Sequence, residues 1–328
     1  MPHCSQTRII LNNMVIFSRC LGLLNLPWRW LGATLLLALA GCAQLSGGPA
    51  SQTPTQQAEI PQPAAKRPPK IGLALGGGAA RGFAHVGVIQ VLEEAGIKPQ
   101  LVTGTSAGSL VAAFYASGKT GAQLQQVAES MDEAAIADWS LPLFSRGMLR
   151  GEALARYVNA QVGGKLIEQF PLPLGVVATD LQSGQGILFQ RGDTGTAVRA
   201  SSAVPAVFQP VKIGEREYVD GGLVAPVPVR FSRQMGAELV IAVDISSPPD
   251  HSPSSSSIQL LLQTFAIMGK SINTFELQGA DVLVRPALAG MSGTDFSARK
   301  RSIDAGRAAM LAALPLLRQK MTELARPP

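Results

Sequence analysis

Two short stretches carry residue types at the spacing that acyl chemistry needs. Gly104-Thr105-Ser106-Ala107-Gly108 closes an apolar, strand-like approach over residues 100–103 and opens a helical run of small residues to Ser117. A serine on a tight strand-to-helix turn has its hydroxyl pushed out toward substrate, and Gly104 and Gly108 suit a turn beside which no Cβ fits. Amides at the start of the following helix add positive potential for an oxyanion. The second stretch is Asp220-Gly221-Gly222, delivered by a hairpin read over residues 211–219. An Asp-Gly pair alone signals a turn. At a strand end, with Gly221 and Gly222 beside it and a serine elbow elsewhere in the chain, Asp220 becomes the best candidate for a general base.

A third stretch, Gly76-Gly77-Gly78-Ala79-Ala80-Arg81-Gly82, follows an apolar run at 71–75 and precedes a helical pattern from Phe83 to about Ala95. Such a loop presents unobstructed backbone N–H groups to an anion. A dinucleotide fingerprint would need glycine where Arg81 stands and an acid at the end of the next strand, where Thr103-Gly104-Thr105-Ser106 is found instead. A nucleotide phosphate loop would need Gly-Lys-Ser/Thr, which is absent. The remaining reading is an oxyanion hole for Ser106, with Gly76, Gly77, Gly78, Ala79 and Arg81 as its residues and Arg81 either steadying the loop or meeting a phosphate.

In this order, the glycine loop, the serine elbow and Asp220-Gly221-Gly222 resemble the motifs of the patatin-like phospholipases, particularly the bacterial members related to neuropathy target esterase. The similarity runs from about Lys70 to about Gly306. The resemblance implies a three-layer α/β/α sandwich with a mainly parallel central sheet. It also implies hydrolysis of lipid acyl esters, a catalytic pair of Ser106 and Asp220, an oxyanion hole in the loop from Gly76, and no metal or organic cofactor.

The histidine inventory bears on the mechanism, because a serine triad needs an imidazole within reach of the nucleophile. The chain has three histidines. His3 falls in a leader, and His251 lies in a polar Pro/Ser stretch that is a poor platform for a base. His85, one turn past Arg81, is expected to support the glycine loop. A carboxylate paired directly with serine remains, and it must be dry to be basic enough.

The elements that position these residues read as alternating strands and helices. Apolar runs at 71–75, 174–179 and 238–245 are strand candidates, 281–286 resembles the last strand of the family, and 121–131, 151–162, 194–202 and 226–235 are helix candidates. Asp180, at a strand end, rivals Asp220, but an aspartate before a turn is expected to cap it. Residues 200–205 are similar to a segment near the family's site, which implies that they line an acyl pocket; the end of a helix at Pro205 explains them equally well. The apolar stretch 139–149 is either core packing or a lid. Residues 258–275, with Lys270 their only charge, are expected to form a buried helix, and 302–325 a helix interrupted at Pro315.

The first forty residues read as targeting: Arg19 and Arg29 precede an apolar run ending in Leu39-Ala40-Gly41-Cys42. This resembles the lipobox of bacterial lipoproteins, with Cys42 lipidated as the first mature residue and Met1 or Met14 as the start. Residues 1–41 are thus expected to be a signal peptide, 42–69 a flexible tether, 70–310 the hydrolase domain and 311–328 a C-terminal helix and tail. By the same resemblance, Ala43 after the cysteine favours the outer membrane, facing the periplasm; the alternatives are the inner membrane, or the cytoplasm if the N-terminus is not processed. Loss of residues 1–42 removes three arginines and no acid, leaving +3 from +6. That balance is too mild for nucleic acid. With Cys42 the only mature thiol, an internal disulfide and a cysteine metal site are excluded. The expectation is a membrane-tethered serine hydrolase of phospholipids or other acyl-ester lipids, of open oligomeric state. The alternatives are an acyltransferase using the same site, or a tethered assembly protein without catalysis.

Overall fold

Strands buried on both faces must be apolar on both faces, and this requirement picks out the central sheet. The computed structural model describes residues 66–326 apart from 132–137, 139–145, 247–255 and 294. In it, β1 (Ile71–Leu75), β2 (Leu101–Thr105), β4 (Leu174–Asp180) and β9 (Leu239–Val243) are buried along their whole length. With β10 (Val282–Val284) they form a parallel array in the order β10-β9-β1-β2-β4.

Side-chain alternation splits the core in two. Ile71, Leu73, Leu75, Leu239, Ile241 and Val243 join one cluster, while Ala74, Val240 and Ala242 join another with Val227, Val229 and Ala237. Helices α1 (Phe83–Glu94), α2 (Ala107–Ala116) and α8 (Arg299–Glu323) cover the first face, and α6 (Val229–Gln234) the second. The result is the expected three-layer α/β/α sandwich with a mainly parallel sheet. Three further helices, α3 (Gly121–Ser130), α4 (Glu152–Gln161) and α5 (Thr194–Ser201), lie near their predicted bounds.

The register of β4 locates the candidate site. Its residues 176–179 pair antiparallel with β5 (Gly186–Phe189) on one edge. On the other edge β2 pairs parallel with residues 174–177, and β8 (Arg216–Asp220) pairs antiparallel with residues 178–180. Thr105 stands opposite Val177 and Asp220 opposite Ala178, so β2 and β8 meet end to end along that edge. Ser106, the next residue after β2, is thereby brought to the last residue of β8. The hairpin of β7 (Val211–Ile213) with β8 is the device that turns Asp220 back toward the elbow. A small two-stranded sheet, β3 (Gly147–Leu149) with β6 (Ala206–Phe208), was not expected; it ties the end of the 139–149 stretch to the segment after Pro205.

Two helices differ from expectation. Helix α7 (Ser257–Glu276) was expected to be buried, yet Leu260, Ile267 and Phe275 are 60%, 51% and 74% exposed. The sheet face on that side is already covered by the segment carrying Val227 and Val229, and α7 rests on that segment's outer surface: a Cβ on Gly269 would lie 3.6 Å from Pro226. Helix α8 runs unbroken through Pro315. Pro315 and Leu311, whose carbonyl loses its partner, are both exposed, so that carbonyl is open to solvent. The helix also spans the 310/311 boundary drawn from sequence, and residues 61–328 form one compact unit.

Candidate active site

Strand β2 passes into α2 through Ser106 alone, whose φ of 52° and ψ of −125° lie where a side chain is strained. Its neighbours show why glycine flanks it. A Cβ on Gly104 would lie 2.5 Å from the Gly108 carbonyl oxygen, and one on Gly108 would lie 2.2 Å from that of Leu75. The glycines supply space for a helix start driven against two strand ends. The Ser106 carbonyl accepts from Ser109 N (2.8 Å) and Oγ (2.6 Å), which binds the turn into the helix.

Asp220 is held on every side except the one facing the serine. Its N–H donates to Ala203 O (3.0 Å), its carbonyl accepts from Thr179 Oγ1 (2.8 Å), and its Oδ1 accepts from Gly222 N (2.6 Å). Gly221 is needed because a Cβ there would lie 2.2 Å from Val177 O. Among the described residues Oδ2 is buried and makes no hydrogen bond. Burial pushes the Asp220 pKa up to about 6, against the Ser106 side chain and the Gly222 amide, which hold it down. The Ser106 side chain thus acts on the carboxylate, and a buried carboxylate oxygen with no hydrogen bond of its own among the described residues is one that can accept a proton.

The glycine loop lies directly against the serine: a Cβ on Gly77 would stand 3.1 Å from that of Ser106. Not all of its amides are available, however. Gly76 N–H donates to Val243 O (3.0 Å) and Gly77 N–H to Pro226 O (2.9 Å), so both serve the scaffold. Arg81 N–H turns back to Gly78 O (3.2 Å), as does its Nε (3.2 Å), so of the two roles open to Arg81 the structure gives it the steadying of the loop. Among the described residues the N–H groups of Gly78 and Ala79 are uncommitted, and Ala79 holds a strained φ of 51°. The candidate oxyanion donors thus narrow from the whole loop to Gly78 and Ala79. Gly78 is also spatially required, since a Cβ would lie 2.8 Å from Ile245 Cδ1.

His85 is where the sequence places it. It is fully buried, its Nε2 lies 2.8 Å from the Gly76 carbonyl, and burial lowers its pKa to about 4. A neutral ring donating to Gly76 O anchors the loop from beneath. Asp180 accepts from Gln182 N (2.9 Å) and Ser183 N (3.0 Å), caps its turn as expected, and pairs with Arg216 (2.6 Å). These bonds hold its pKa below the usual value, the Ser183 amide contributing most.

One residue was missed. Ser201 Oγ accepts from Ser106 N–H (2.9 Å) and donates to Val177 O (2.6 Å), bridging the elbow to β4. The signal was present in the Ala200-Ser201-Ser202 segment, but only the tertiary pairing reveals which serine turns inward. Cys42, His251 and residues 139–145 lie outside the described residues; among the described ones there is no cluster that could hold a metal ion.

With this geometry in view, comparison with known proteins gives a family-model match over part of the chain. Residues 73–231 match the patatin-like phospholipase family model. This is the family that the three motifs resemble, and the matched span contains Ser106 and Asp220. An uncharacterized NTE family protein of Mycobacterium tuberculosis is 39% identical over 193 residues, 57% of this chain and 53% of that protein. A second uncharacterized NTE family protein of that organism is 30% identical over 74% of this chain and 46% of its own length. The mouse patatin-like phospholipase domain-containing protein 6 is 35% identical over 54% of this chain, but only 14% of its own length. The chain spans about half the length of the first two relatives. Among solved structures, VipD from Legionella pneumophila superposes at a TM-score of 0.49 and 15% identity, covering 76% of this chain and 67% of its own.

Proposed function

We propose that this patatin-like chain is a serine hydrolase of lipid acyl esters, of phospholipase or lysophospholipase type, working through a Ser106–Asp220 dyad. The observation that carries the reading is the unpartnered, buried Asp220 Oδ2 beside a serine on a strained elbow, at the point where β2 and β8 meet. Ser106 Oγ attacks the ester carbonyl as its proton passes to Asp220. The Gly78 and Ala79 amides face the oxygen that gains charge, and Asp220 returns the proton to the leaving alcohol. Water then repeats the sequence on the acyl-serine, with Asp220 as base, and releases the fatty acid. Burial suits this chemistry, because an aspartate of ordinary pKa is a feeble base.

An alkyl fluorophosphonate should label the parent protein and not the Ser106→Ala variant, and a panel of phospholipids and lysophospholipids should then identify the ester released. A folded parent that neither takes the label nor hydrolyses any panel member would overturn the reading. The sequence around Cys42 supports a lipidated anchor holding this domain at a membrane, preferentially the outer one. In that case Cys42→Ser should appear unlipidated in the soluble fraction, and a variant processed and membrane-bound like the parent would remove the lipobox.

A further inference from the structure

Six of the ten large apolar residues exposed among the described residues lie on one helix, α7: Ile258, Leu260, Leu262, Ile267, Met268 and Phe275. Exposed apolar residues are ordinarily scattered, and concentration on one element marks a contact surface. At about 100° per residue, Leu260, Thr264, Ile267, Met268, Ser271 and Phe275 share the outer side. The hydroxyls interrupting this stripe do not reach for solvent. Thr264 Oγ1 donates to Leu260 O (2.9 Å), Ser271 Oγ to Ile267 O (3.4 Å) and Thr274 Oγ1, beside the stripe, to Lys270 O (3.1 Å). A hydroxyl satisfied by its own helix can enter an apolar medium at little cost.

Charge and position select the medium. Lys270 is the only charged residue from Ser257 to Phe275, and the acid that follows, Glu276, is buried in an ion pair with Arg230. The stripe therefore presents no exposed carboxylate to repel an anionic headgroup. The helix packs against the 3-10 turn Gly221–Leu223 that follows Asp220, and Gly269 faces Pro226, whose carbonyl holds the Gly77 amide. A second copy of the chain seated here would crowd the approach to the dyad, whereas a lipid surface would bring substrate to it. No described helix is long and apolar enough to cross a membrane. We propose that the outer face of α7 lies on the surface of a phospholipid bilayer and seats the dyad's mouth against it. This rests on the lipid-hydrolase reading of the same site.

The test uses the full chain with Cys4→Ser, Cys20→Ser and Cys42→Ser, so that no lipid or native thiol contributes. Met268→Cys in that background carries an environment-sensitive fluorophore, which is mixed with phosphatidylcholine vesicles with and without phosphatidylglycerol. A blue shift on vesicle addition is expected, stronger with the anionic lipid. In parallel, Ile267→Glu/Phe275→Glu should lower hydrolysis of vesicle phospholipid by roughly ten-fold or more, two large apolar contacts being lost. It should leave hydrolysis of a short soluble ester within about two-fold of the parent, the altered side chains lying outside the dyad. An unshifted fluorophore, or equal losses on both substrates in a folded variant, overturns the proposal. So does a parent dimer in sedimentation that the double variant converts to monomer, which would make a second copy the occupant. If the parent hydrolyses neither substrate, the hydrolase reading fails while the fluorophore still decides whether α7 meets lipid.

Discussion

At the scale of single residues, the proposed dyad depends on an aspartate made basic by dryness. Asp220 has a pKa of about 6, raised by burial, so the proposed base is competent above that pH and protonated below it. The kcat/KM of a soluble ester should therefore rise with pH through about 6 and level off, where a histidine base with a pKa of about 4, as His85 has, would leave it flat over the same range. Asp220→Asn should be as inactive as Ser106→Ala, and the double variant no worse than either, since residues acting as one unit do not lose activity additively. If Asp220→Asn kept near-parent turnover while His85→Asn lost it, the dyad would be wrong. Ser201 makes a separate prediction. Its hydroxyl is the acceptor for the Ser106 N–H, so Ser201→Ala leaves that half-buried donor unpaired at a cost toward the lower end of about 1–3 kcal/mol. It should lower the Tm and reduce kcat by about ten-fold with little change in KM, as the elbow loses its tie to β4. Unaltered kcat in a folded variant would reduce Ser201 to a packing residue.

Among elements, the sequence was most legible where one short segment determines the geometry. The apolar approach, the glycine spacing and the helix after Ser106 sufficed to place the elbow, and the apolar runs sufficed for β1, β4 and β9. Pairing was much less legible. Nothing local in the sequence says that β8 continues the edge of β4 that β2 leaves, although this juxtaposition brings Asp220 to Ser106. Nor could the sequence distribute the loop amides, because Gly76 and Gly77 are claimed by carbonyls of Val243 and Pro226, both more than a hundred residues away. Helix α7 was misjudged because apolar composition was taken for burial, when the face it would have covered was already occupied. The glycines of α1 and α8 show the same non-local logic. A Cβ on Gly87 would lie 2.0 Å from Ile303 O, and one on Gly306 would lie 1.9 Å from Ala84 O, so the two helices cross at backbone distance. Overpacking ordinarily costs about 1–3 kcal/mol, and a clash with backbone exceeds that range. Gly306→Val should unfold at markedly lower urea than the parent or fail to accumulate, and Gly306→Ala should fall between them. Parent-like midpoints for both would show that the crossing tolerates separation.

Over the whole molecule, the two most displaced buried groups of the site act on stability in opposite directions. His85, with a folded pKa of about 4 against an ordinary 6.5, stays neutral while the unfolded chain gains a proton, so stability is lost as pH falls from 6.5 to 4. Asp220 is the reverse: its pKa of about 6 exceeds the ordinary 3.8, so the folded state takes up a proton first and stability rises as pH falls through the same window. Each displacement corresponds to roughly 3 kcal/mol. Between pH 6 and 4 the two nearly offset, and denaturant midpoints of the parent should change little. Asp220→Asn removes one side of this balance. It should be more stable than the parent at pH 8, where the parent holds a buried carboxylate, and its advantage should disappear by pH 4 as the His85 loss proceeds unopposed. The measurement is the urea midpoint of both proteins at half-unit steps from pH 4 to 8. A constant difference between them across that range would mean that Asp220 titrates alike in the folded and unfolded chain, and the dry, raised carboxylate on which the proposed chemistry depends would be lost with it.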